Sequence, residues 1–147
     1  MYPYTNYYDA LYRQNDKLIR EVEKAMSGEY NAINCYSQLA NLAHNEKEKS
    51  RILEIRQDEI KHYQQFEQIY TKLTRRKPQQ PKLSEECPDV YLAGLEFALE
   101  DEQNTVDFYL EVADGASDPT IKEAFRRAAA DEQNHAVWFL YFLTKNK

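Results

Sequence analysis

Apolar residues recur every three or four positions from residue 18 to residue 43, the polar string HNEK interrupts them, and the same period resumes to residue 73. A second pair of periodic segments runs over residues 90–113 and from the far side of DGASDP to residue 144. In that break Gly115 can end one helix, while Asp118 and Pro119 can open the next. The pattern predicts four helices of about 25 residues, each about 38 Å long at 1.5 Å per residue. Between the pairs lies RRKPQQPKLSEECPD, residues 75–89, rich in proline and polar side chains. Extended, this linker reaches about 45 Å. That is enough to cross a full helix length and lay the third helix parallel to the second. The chain therefore reads as one all-α domain: a Tyr-rich segment 1–17, a first hairpin 18–74, a crossover 75–89 and a second hairpin 90–147.

Residues seven apart share a helix face, and four apolar seams follow from that rule. On the fourth helix Phe125, Glu132 and Phe139 form one row, with Ala128, His135 and Phe142 beside it. On the second, Ile52, Glu59, Phe66 and Leu73 run beside Ile55, His62 and Ile69. The first helix contributes Val22, Glu29, Tyr36 and Ala43, and the third Leu95, Glu102 and Tyr109. Every seam thus carries a glutamate, and two carry a histidine as well. Counted from the two turns, these residues fall at nearly one level. Carboxylates withdrawn from water must be protonated or paired, and no Lys or Arg shares the seams. Two divalent cations would neutralise four carboxylates. Glu29, Glu59, His62, Glu102, Glu132 and His135 are the candidate metal ligands.

The chain also repeats itself. A shift of 73 residues aligns 18–72 with 91–145 without a gap, and 14 of the 55 pairs are identical. Glu29 falls on Glu102, Tyr36 on Tyr109, Asp58 on Asp131, Glu59 on Glu132 and His62 on His135. The matches concentrate on the residues the seams single out.

Charge and composition narrow the remaining readings. A net charge of −6 and a pI near 5.1 argue against nucleic acid as a partner. The basic cluster Lys72, Arg75, Arg76, Lys77 and Lys82 falls where a helix ends, and there it complements the helix dipole. The two cysteines, Cys35 and Cys87, form no C-x-x-C pair, so neither a zinc site nor a disulfide framework is expected. No signal peptide or membrane-spanning run is evident, which leads us to expect a cytoplasmic protein. His44 has Ser117 as its counterpart and reads as a surface residue. Glu23 and Glu96 are paired by the repeat but face away from the seams. The tyrosines at 2, 4, 7, 8 and 12 suit docking on the bundle or on a neighbour.

The strings EYNAINCYSQLA and EQNTVDFYLEVA, together with DEIKH and DEQNH, resemble the ferritin-like di-iron carboxylate proteins and, more narrowly, the rubrerythrin-type domain. The resemblance covers nearly all of 18–145. It implies a ferritin-like four-helix bundle in which Glu29 and Glu102 are terminal ligands, Glu59 and Glu132 bridge two iron ions, and His62 and His135 bind one each. It further implies that Asp58 and Asp131 orient the histidines of the opposite unit and that Tyr36 and Tyr109 support ligand carboxylates. Manganese or zinc also suits such ligands. The expected activity is that of an oxidoreductase acting on peroxide or oxygen, by peroxidase- or ferroxidase-type chemistry. The alternatives are a dimanganese catalase-like enzyme and a metal-stabilised structural module. Rubrerythrins proper carry a four-cysteine rubredoxin module, so a separate electron-donor protein is expected here. They also often carry a further Glu where this chain has Thr105. A fifth helix of the cage-ferritin kind is missing, so storage in a shell is not expected. Bundles of this class favour a homodimer, but no exposed seam names its interface.

Overall fold

The computed structural model describes the backbone of residues 2–84 and 86–147 and the side chains of 8–84 and 86–147. Four helices follow in order: α1 Tyr2–Leu42, α2 Glu46–Thr74, α3 Tyr91–Gly115 and α4 Pro119–Asn146. Leu39 meets Gly94 and Tyr36 meets Glu102, so α1 and α3 run antiparallel. Glu48 meets Asn146 and Phe66 stacks on Phe125, so α2 and α4 do as well. With α1 and α2 forming a hairpin, α2 and α3 are parallel, and the crossover travels the length of the bundle. This is a ferritin-like four-helix bundle.

Local chemistry accounts for most boundaries. Asn45 caps α2 by accepting from the Glu48 amide at 2.9 Å, and Asp118 caps α4 by accepting from the Thr120 amide at 2.7 Å with Pro119 in the first turn. Arg75 ends α2 in the left-handed region, φ 60°, with its amide donating to the Thr71 carbonyl. One boundary differs from the sequence reading, since α1 begins at Tyr2 and not near residue 18. Tyr8, Leu11, Tyr12, Leu18 and Ile19 continue the helical spacing, and no glycine or proline after Pro3 stops it. Tyr2, Tyr4 and Tyr7 lie outside the described side chains, while Tyr8 and Tyr12 are exposed.

The core divides into two apolar clusters. One holds Val22, Met26, Phe66, Tyr109 and Phe125, and the other Tyr36, Leu39, Ile52, Leu95 and Phe139. Burying each aromatic or aliphatic side chain contributes about 1.5–3 kcal/mol. Stacking of Phe66 on Phe125, centroids 4.6 Å apart, adds to the first cluster. All six candidate ligands fall in sequence between the segments that build these clusters, so apolar packing clamps them from both ends.

The cysteines correct the sequence reading: Cys35 and Cys87 are disulfide-bonded, with Cα atoms 5.5 Å apart at a sequence separation of 52. Spacing could not show it, because the pair meets only when the crossover runs back along α1. Among the described residues no helix is long and apolar enough to cross a membrane.

Candidate metal centre

The six seam residues converge. Glu29 from α1, Glu59 and His62 from α2, Glu102 from α3, and Glu132 and His135 from α4 are all buried, none more than 4% exposed. Their ligand atoms form two overlapping groups. Glu29, Glu59, His62 and Glu132 make one, Glu59, Glu102, Glu132 and His135 the other, and within each the atoms lie within 4.8 Å of one another. Shifting the first group by the repeat returns the second, so an approximate two-fold axis passes through the centre. Glu59 and Glu132 belong to both groups.

Each group is half satisfied in a consistent way. His62 directs Nε2 at Asp131 Oδ2, 2.8 Å away, and His135 directs Nε2 at Asp58 Oδ2, 2.9 Å away. With a proton on Nε2 in those contacts, Nδ1 of each ring points inward and offers a lone pair once the ring is neutral. The Tyr36 hydroxyl donates to Glu102 Oε1 at 2.6 Å, and the Tyr109 hydroxyl donates to Glu29 Oε1. That occupies one oxygen of each carboxylate and leaves Oε2 free. Glu29 Oε2, Glu59 Oε1, His62 Nδ1, Glu102 Oε2, Glu132 Oε1 and His135 Nδ1 are buried without a hydrogen-bond partner. Six orphaned atoms, one from each residue, would be a heavy desolvation penalty in a finished core. Carboxylate and imidazole donors at this spacing fit divalent cations.

The electrostatics of the bare side chains agree. Burial raises the Glu59 and Glu132 carboxyls well above the usual range, and the charges of Glu102 and Glu29 push the same way. Burial depresses His62, but its bond to Asp131 and the nearby Glu29 and Glu59 outweigh that and lift it to about 12. His135 rises to about 9 against the same burial, chiefly through Glu102. His62 Nδ1 lies 3.0 Å from Glu132 Oε1, close enough for an ion pair if protonated, yet no hydrogen bond is completed. The side chains are aimed at a common space more than at each other. Burial and the Glu29 and Glu102 charges also keep Tyr109 and Tyr36 as neutral donors.

Comparison with known proteins gives the centre its context. The Rubrerythrin family model matches residues 94–147, which include Glu102, Glu132 and His135. The chain is also 51% identical over 136 residues to the uncharacterized protein YhjR of Bacillus subtilis (strain 168), covering 92% of this chain and 93% of that one. The chain belongs to one family with YhjR, and its second hairpin carries the rubrerythrin match. Its fold matches a hypothetical protein from Pyrococcus furiosus, with TM-score 0.76 and 19% identity over 86% of this chain and 88% of that one. It also matches a ferritin-like, diiron-carboxylate protein from Bacillus anthracis, with TM-score 0.74 and 23% identity over 88% and 97%. The buried acidic and histidine cluster is compatible with a metal site.

Other residues sort simply. Thr105 turns its hydroxyl back to the Asp101 carbonyl at 2.7 Å. His44, exposed, directs Nδ1 at Asn146 Oδ1 and packs its ring 4.7 Å from Tyr91. Glu23 and Glu96 are exposed. The sequence reading missed Glu48, only 3% exposed, which receives bonds from Tyr91, Asn45 and Asn146. The signal was present: Asn45-x-x-Glu48 is a capping-box spacing. It ties the turn to the ends of α3 and α4 and has no part in the metal centre.

Proposed function

We propose that this protein is a di-iron carboxylate oxidoreductase that acts on peroxide or oxygen. The supporting observation is the set of six orphaned buried atoms, one from each of Glu29, Glu59, His62, Glu102, Glu132 and His135. On this reading Glu29 with His62 holds one ion, Glu102 with His135 holds the other, and Glu59 and Glu132 serve both, as their shared membership of the two groups suggests. Two bound iron ions supply a two-electron couple and Lewis acidity that no side chain offers. The chain supplies the rest. Asp131 and Asp58 fix the histidine tautomers, Tyr36 and Tyr109 hold one oxygen of each terminal carboxylate, and the two apolar clusters keep bulk water away. On this reading a separate donor protein delivers the reducing equivalents. We place the protein in the cytoplasm and expect it to act as a homodimer.

Metal analysis of protein purified without chelator, followed by anaerobic iron loading and stopped-flow mixing with hydrogen peroxide and with oxygen, tests this reading. A rapid absorbance change with either oxidant is expected. Iron-loaded protein that reacts with neither, while its melting temperature still depends on metal, would show a structural role. Stoichiometric manganese with catalase activity would favour the dimanganese alternative.

A further inference from the structure

The crossover is strapped to α1 along one face. Gln80 Nε2 donates to the Tyr30 hydroxyl at 2.6 Å, the Ser84 amide donates to Asn31 Oδ1 at 3.1 Å, and Gln38 Nε2 donates to the Pro88 carbonyl at 3.2 Å. These bonds are exposed to water, where each is individually weak. The covalent tie in this row is Cys35–Cys87. Beside the strap lies an open cavity of about 300 Å³ between α1 and α3, with a mixed lining that includes Ala25, Asn31, Ser84, Thr105, Phe108 and Tyr109. Its floor, Tyr109, donates directly to Glu29. One side chain therefore separates this cavity from the metal centre, and a strap residue forms part of its wall.

We propose that Cys35 and Cys87 act as a redox clasp that fixes the strap beside this cavity when oxidised and frees it when reduced. The two sulfurs are unequally reachable, since Cys35 is 3% exposed while Cys87 is half-buried. An external dithiol attacks Cys87 Sγ, the S–S bond breaks, and Cys35 leaves as the thiolate and takes up a proton. The second external thiol then resolves the mixed disulfide. The protein gains two electrons and two protons, and the reductant becomes a disulfide. The strap then rests on its water-exposed bonds and on the packing of Cys87 against the second apolar cluster, and the wall at Ser84 loosens.

Amide hydrogen exchange on the intact protein, oxidised and after reduction with a dithiol, tests the clasp without reference to any metal. Reduction should speed exchange of the Ser84 amide, which donates to Asn31, at least tenfold while the Glu59–His62 turn of α2 stays protected. The Cys87→Ser variant should behave as reduced protein under both conditions, and its altered residue lies in the strap at the edge of the second apolar cluster. Unchanged strap exchange once thiol titration shows both cysteines free would overturn the proposal. So would two free thiols that persist after equilibration with oxidised glutathione. A second arm, resting on the metal reading above, measures how fast a chelator strips zinc; reduction should speed it several-fold. If strap exchange responds but zinc release does not, the clasp stands as a closure of the strap and its link to the centre fails.

Discussion

Replacing Glu132 with glutamine separates the two demands placed on that side chain. In the metal-free protein Glu132 sits among Glu29, Glu59 and Glu102, with ligand atoms in each group within 4.8 Å. Two like charges at that distance repel by about 3.5 kcal/mol at an effective dielectric of 20. The carboxyl escapes most of this by holding its proton, which is why burial and the neighbouring glutamates raise it. A carboxyl raised in the folded state removes stability as pH climbs above its unfolded value near 4.5. Removing the charge should therefore stabilise the metal-free bundle at pH 7 by about 2 kcal/mol, within the range of about 1–4 for neutralised buried ionic clusters. That is roughly 4–8 °C in Tm for a chain of this size. At pH 4, where the carboxyl is protonated in both states, the gain should nearly vanish. With metal the sign reverses. At a hundredfold excess over Kd each ion stabilises by about 2.7 kcal/mol, and Glu132 belongs to both groups, so the variant loses most of the increment from two ions. Calorimetry with chelator and with ferrous, manganous or zinc ions reads both effects, with Glu23→Gln, an exposed repeat partner of Glu96, as control. A metal-free Glu132→Gln protein less stable than the parent, or one that keeps the full metal increment, would refute the reasoning.

Other consequences can be checked on the same preparations. Asp131→Asn and Asp58→Asn should each weaken metal binding about 10–100-fold in competition titrations, because each removes the acceptor that fixes a histidine Nε2. Reducing Cys35–Cys87, which closes a separation of 52 residues, should lower stability by up to about 4 kcal/mol on the chain-entropy account, seen as a fall in the urea midpoint. Glu48→Ala should cost about 2–3 kcal/mol at pH 7 by stranding the Tyr91 and Asn146 donors. Glu48 remains acidic despite burial because Tyr91, Asn45 and Asn146 donate to it. Its contribution is thus present above pH 4.5 and lost as pH falls through the lowered value, and the difference between parent and variant melts should narrow toward pH 3.

The fold was legible because burial imposes a period. Rows such as Phe125, Glu132 and Phe139 named the inner face of α4, and DGASDP named the α3–α4 turn. The convergence of the six candidate ligands followed from placing one polar residue at one level in each seam, and the repeat fixed their equivalence. What escaped depended on geometry that periodicity does not encode. Arg75 ends α2 with a positive φ where glycine would be expected. The first seventeen positions read as a segment apart from the hairpins because their apolar residues are mostly tyrosines, yet helix formation needs only the absence of a breaker. The path of the crossover, and with it the disulfide, required three dimensions.

The supporting contacts all cross between the hairpins. Asp131 on α4 holds His62 on α2, Asp58 on α2 holds His135 on α4, Tyr36 on α1 reaches Glu102 on α3, and Tyr109 on α3 reaches Glu29 on α1. Neither hairpin therefore has a correctly oriented ligand set by itself, even though each carries two glutamates and a histidine. Each proposed metal group likewise takes residues from both halves. Metal binding and hairpin association must then be linked in free energy: whatever tightens one tightens the other by the same amount. On the metal reading, the buried carboxylates that oppose association in the bare protein favour it once cations are bound, so metal should strengthen the docking of the two hairpins.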